Sequence, residues 1–109
     1  MGYKIERDYR GNIAAESIFK FEGGKWIVIT SNKMCSGGLW SHAQVCEIEQ
    51  DGVFHVRKFE MFGDFRKKVA MKPARCTEKN IRALHEEAIA QIEQIQAEAS
   101  AFYAAKEAA

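Results

Sequence analysis

Apolar and polar residues alternate through the first two-thirds of the chain, then switch to a period of three and four. Alternation over 4–8 residues marks half-buried strands, and here it predicts them at about 3–10, 13–22, 25–31, 39–50, 53–62 and 65–72. Two-residue turns containing glycine punctuate them at Gly11-Asn12, Gly23-Gly24, Asp51-Gly52 and Gly63-Asp64, each supplying the φ > 0 of a primed hairpin turn. One longer connection runs from Asn32 to Gly38.

Pairing across the turns tests the strands. Gly23-Gly24 sets Phe21 opposite Trp26, Phe19 opposite Val28 and Glu22 opposite Lys25. Gly63-Asp64 sets Phe62 opposite Phe65, Glu60 opposite Lys67 and Val56 opposite Met71. A strict register at the other two turns opposes Lys4 to Phe19 and Glu49 to Phe54, so bulges or longer turns are expected there.

Pro73 ends the sheet, because proline cannot donate to a ladder. Thr77 is a good helix N-cap, Glu78 suits the positive end of the helix dipole, and Cys76 with Ile81 has staple spacing. No glycine or proline follows, so one long helix is predicted over 77–107. Its apolar stripe is Ile81, His85, Ala88, Ile92, Ile95, Ala99 and Phe102, heptad-like for three repeats. About 30 residues make a rod near 45 Å, whereas a strand of eight to ten residues spans only about 30 Å. The surplus predicts a homodimer or higher oligomer joined through Ile81, Ile92, Ile95 and Phe102. The expected architecture is a single α+β domain over 1–109, with an antiparallel sheet of five or six hairpin-connected strands in 1–72 and a long C-terminal α-helix packed on one face.

Composition narrows the class without naming a function. With 109 residues, 47% hydrophobic and 28% charged, the chain has room for one core and is too apolar to be disordered. Its formal charge of +1 hides an uneven distribution. Residues 57–82 carry nine basic side chains against three acidic ones, and residues 83–109 carry Lys106 against five glutamates. Cys35, Cys46 and Cys76 are odd in number, and no apolar signal segment lies near Met1, so free thiols and a reducing cytoplasm are expected. No apolar run approaches the roughly 20 residues of a membrane span.

Candidate chemistry is sparse. Cys35, His42 and Cys46, with His55 and Cys76, are metal-ligand types, but they lack the paired spacing of zinc sites. Buried thiols and a strand histidine are the simpler reading. No activated Cys-His pair, paired carboxylates or phosphate loop is evident, so neither an enzyme nor a cofactor is expected. Trp26, Trp40 and Tyr3 fit a core as well as a binding surface, and Met34, Leu39 and Trp40 could form an apolar patch for a partner.

The basic middle rises above this background. In the Gly63-Asp64 register, Phe54, Val56, Phe62, Phe65, Val69 and Met71 face the core. His55, Arg57, Phe59, Met61, Arg66, Lys68 and Lys72 face outward, so four permanent cations share a face with an aromatic ring. Cations neutralise phosphates and a ring can stack on a base, which suits a nucleotide or nucleic acid. Arg75 and Lys79 flank the helix start, where free N–H groups favour phosphate. The expected function is therefore a non-enzymatic binding protein using Arg57, Phe59, Arg66, Lys68, Lys72, Arg75 and Lys79. The alternative is a protein-interaction module, such as a phage or mobile-element inhibitor or adaptor acting on a host protein, with the basic residues as a solvated surface.

Overall fold

The computed structural model describes residues 3–51, 54–58 and 65–108, with side chains at all of these except 48–51 and 54–58. Among these residues six antiparallel strands precede two helices: β1 (Lys4–Arg7), β2 (Ile13–Phe21), β3 (Lys25–Lys33), β4 (Leu39–Asp51), β5 (Phe54–Lys58), β6 (Arg66–Lys72), α1 (Glu78–Ile89) and α2 (Ile92–Ala108). The α+β class and the antiparallel sheet agree with the hydrophobic pattern.

Strands neighbour one another in the order β1-β2-β3-β4-β5, and β6 also pairs with β4. β4 is 13 residues long. It offers Leu39–Gln44 to β6 and Glu47–Asp51 to β5. The expected pairing of Val56 with Met71 therefore does not form: Val56 registers with Glu49, and Met71 with Trp40. A strand this long can hold two partners, which releases β5 and β6 from pairing with each other. Glu60 and Phe62, the remaining members of that predicted hairpin, lie outside the described residues, as do Phe59 and Met61.

Turn chemistry shifts two further registers. Between β2 and β3, Glu22 joins Gly23 and Gly24 in one turn of 3-10 helix, with both glycines at positive φ. The link is one residue longer than expected, so Phe21 faces Lys25 and Phe19 faces Ile27. Glu22 bonds instead to the Ser100 hydroxyl, 2.9 Å away. Between β1 and β2, Asp8 Oδ1 accepts the N–H groups of Arg10 (2.8 Å) and Asn12 (2.9 Å), closing a longer loop that pairs Lys4 with Glu16.

A bulge in β6 changes which side chains face which way. Ser41 pairs with Ala70 while His42 pairs with Lys68, leaving Val69 as the extra residue. Val69 and Ala70 both pack toward the helices. Alternation then resumes out of step. Met71, expected in the core, is 52% exposed. Lys72, expected outward, has its ammonium 3.8 Å from a Glu87 carboxylate oxygen on α1.

The predicted single helix is two. Thr77 caps α1 as expected, its side chain accepting the Asn80 N–H at 3.2 Å. At the far end the Gln91 N–H turns to the Ala88 carbonyl, a tightened 3-10 step, and the Gln91 carbonyl starts α2 by accepting from Ile95. The two helices rise about 18 and 26 Å, each within the length of the sheet. Both helices set apolar residues on the strands, Ile81, Leu84 and Ala88 from α1 and Ile95 and Ala99 from α2. No helix among the described residues is long and apolar enough to cross a membrane.

The core lies between the helices and one face of the sheet, in two clusters. Ile27, Ile29, Ala43, Val45 and Phe65 receive Ala88 of α1 and Ile95 and Ala99 of α2. Ile13, Ala15 and Leu39 receive Ile81 and Leu84 of α1, with Cys76 packed alongside. Each fully buried Ile or Leu stabilises the fold by about 1.5–3 kcal/mol. His85 sits where the clusters meet, over Ser17 of β2, Ser31 of β3 and Ser41 of β4.

Candidate ligand-binding face

No helix among the described residues covers the second face of the sheet. Strand alternation and the registers assign it Glu16 and Ile18 of β2, Trp26, Val28 and Thr30 of β3, Trp40, His42, Gln44 and Cys46 of β4, and Arg66, Lys68 and Met71 of β6. Its middle is closed, since Val28, Gln44 and Cys46 are buried. Its β4–β6 corner is open: Arg66, Lys68 and Met71 are exposed, and Trp40 and His42 are half-buried.

Register brings this corner together. His42 pairs directly with Lys68, Gln44 with Arg66 and Trp40 with Met71. Trp40 and His42, two residues apart on one strand, point the same way and their rings tilt against each other with centroids 4.7 Å apart. A shallow pocket of about 190 Å³ lies against Trp40, His42, Arg66, Lys67 and Lys68. A planar group seated there would meet an indole and an imidazole beside two guanidinium or ammonium groups. Among the described side chains the acidic residues of the same face, Glu16 and Glu6, lie on β2 and β1, away from the basic corner.

A second, larger cleft of about 920 Å³ opens where the β3–β4 connection meets the chain leaving β6. Its walls include Lys33, Met34, Gly38, Met71, Pro73 and Arg75. Gly38 is needed there: its φ is +81°, and a Cβ would come within 3.3 Å of the Lys72 carbonyl. Another cleft, about 740 Å³, mixes Arg7, Arg10 and Lys33 with Glu6 and Asp8. Asp8 is occupied by its own loop, whose backbone N–H from Asn12 holds the carboxyl below its ordinary range.

The expected site residues are therefore only partly gathered. Arg66 and Lys68 share the open corner, and Arg75 lies on the adjoining cleft. Lys72 also lines that cleft but is turned by the bulge toward Glu87. Lys79 is exposed in the first turn of α1 and lines neither cleft. The side chain of Arg57 and all of Phe59 lie outside the described residues. Sequence reading passed over His42 as a ligand-face residue and left Trp40 undecided. Their i, i+2 spacing on a strand was the available signal.

The proposed contacts between copies change more. Ile81 and Ile95 are 0% exposed inside the chain's own core. Ile92 packs half-buried against the same cluster. Phe102 alone of the four is exposed, at 38%, with its ring edge-on to Phe65. Leu39, expected in an apolar patch, is fully buried.

The cysteines are free, with Cys35 exposed, Cys46 buried and Cys76 half-buried. The Cys76 thiol lies 3.5 Å from both the N–H and the carbonyl of Ile13, a structural contact. Among the described residues no group of three His, Cys, Asp or Glu side chains could hold a metal. Comparison with family models, curated proteins and solved structures gives no significant match.

Proposed function

We propose that this chain is a binding protein that holds an anionic ligand with a planar base, a nucleotide or nucleic acid, at the β4–β6 corner of its sheet. The observation that carries this reading is the Trp40–His42 ring pair, 4.7 Å apart, with the exposed Arg66 and Lys68 on the adjoining strand. Rings accept a base by stacking, and the cations neutralise its phosphate. In this reading Trp40 and His42 supply the aromatic surface, and Arg66 and Lys68 the charge.

Calorimetric titration with short RNA, single-stranded DNA and linear and cyclic nucleotides tests it. Trp40→Ala should weaken binding by about 1–3 kcal/mol through lost stacking. Arg66→Ala or Lys68→Ala should weaken it by about 1–3 kcal/mol, more at low salt than at high. Absence of any binding tighter than about millimolar at low salt, or unaltered binding by Trp40→Ala, would overturn the reading.

A protein-interaction module is the second reading, favoured by Met34 and Met71 on the walls of the larger cleft, since methionine surfaces adapt to partner side chains. Co-purification of one partner protein, lost with Met34→Asp and Met71→Asp together, would select it.

A further inference from the structure

The two pockets are neighbours. Trp40 lines the smaller one, Met71 lines the larger one, and the two residues are cross-strand partners on the same face. Each pocket has its own cations, Arg66 and Lys68 at one end, Lys33 and Arg75 at the other. From Arg66 to Lys72 the strand alone runs about 20 Å at 3.3 Å per residue, and Arg75 lies beyond it. A mononucleotide is too short to engage the cations at both ends together.

We infer that the ligand is a single strand of nucleic acid several nucleotides long, lying along β6 from the Arg66–Lys68 corner over Trp40 and Met71 into the cleft walled by Lys33 and Arg75. The inference rests on the reading of the β4–β6 corner given above. A single strand fits because its bases are free to offer their faces to Trp40 and His42, whereas a duplex keeps those faces stacked inside. Cations spaced along the path match a repeating phosphate backbone better than the one phosphate cluster of a nucleotide. Met71 and Pro73, between the two cationic ends, give bases an apolar surface.

Binding of homopolymeric DNA and RNA oligonucleotides of one, two, four and eight residues, followed by tryptophan fluorescence and calorimetry at two salt concentrations, tests this on the intact chain. Affinity should rise by about tenfold or more between two and eight nucleotides, with a salt slope near 0.7 per phosphate engaged. Lys33→Ala with Arg75→Ala should weaken the eight-residue ligand severalfold and leave the dinucleotide unchanged, whereas Arg66→Ala with Lys68→Ala should weaken both. Both double variants replace exposed side chains, and unchanged thermal unfolding confirms intact folds. A dinucleotide that binds as tightly as the octamer, or an octamer indifferent to Lys33 and Arg75, overturns the extended path and leaves the corner reading standing. Tighter binding of duplex or of an acidic peptide overturns the ligand class. Binding of nothing at all overturns path and corner together.

Discussion

Ser31 Oγ lies 2.7 Å from His85 Nδ1 and 2.6 Å from Ser41 Oγ, so one hydroxyl ties the α1 imidazole to two strands of the sheet. Ser17 Oγ, 2.7 Å from Nε2, adds a third strand. A neutral imidazole has one donor and one acceptor nitrogen, and hydroxyls can serve either, so the network is satisfied without charge. His85 is 0% exposed, and burial lowers its pKa to about 4, against a smaller opposing pull from Glu86.

This burial predicts acid sensitivity of a definite sign. The unfolded chain takes up the His85 proton near pH 6.5, the folded chain only near 4. The unfolded state binds more protons in that window, so stability is full above about pH 6.5 and falls as pH drops toward 4, by roughly 3 kcal/mol in all. Urea unfolding at several pH values should show this, and His85→Gln should flatten that slope even though it lowers stability at pH 7.5. Equal slopes in the two proteins would place the acid sensitivity on other groups.

Ile95 and Phe102 occupy one stripe of α2 and should respond very differently. Ile95→Ala leaves a cavity among Ile27, Val45 and Phe65 and should cost about 2–5 kcal/mol. Phe102→Ala removes a ring that is 38% exposed and should cost about 1 kcal/mol. Chemical denaturation of the two variants at several protein concentrations measures both losses. A larger loss at Phe102, growing with concentration, would show it buried between copies.

The Thr77 side chain satisfies one of the otherwise unpaired N–H groups at the start of α1. Thr77→Ala should therefore cost about 1 kcal/mol, and Thr77→Asp should recover most of it. Thermal unfolding of the three proteins gives the comparison.

What could be read from residue order is what local chemistry decides. Pro73 and Thr77 end and begin elements by their own hydrogen-bonding capacity, and alternation marked every strand from Lys4 to Lys72. Partner choice was not local: β4 takes both β5 and β6, and no residue near Gly63 encodes that. Ala90 and Gln91 are sound helix residues, so nothing in their order marks the break between α1 and α2. The serines of the His85 network were invisible as a group because they come from three strands. At the candidate site, Arg66 and Lys68 were legible from alternation, but beyond Val69 the bulge inverted it and exchanged Met71 with Lys72.

That exchange makes the last prediction, because an unbulged strand and the observed one disagree about Met71→Lys. In an unbulged strand residue 71 would face the core, and a lysine there would cost several kcal/mol or unfold the protein. With Val69 bulged, Met71 is 52% exposed on the ligand face, and the substitution should change stability by no more than about 0.5 kcal/mol. It also replaces part of the apolar path with a third cation beside Arg66 and Lys68, so the salt slope of single-stranded octamer binding should steepen by about 0.7 for one added phosphate contact. Lys72→Met, by contrast, removes a partly exposed pairing with Glu87 worth about 0–1 kcal/mol. Urea unfolding of the two variants separates the alternatives: a fold lost in Met71→Lys and kept in Lys72→Met would place Met71 inside and remove the bulge on which the shape of the ligand face depends.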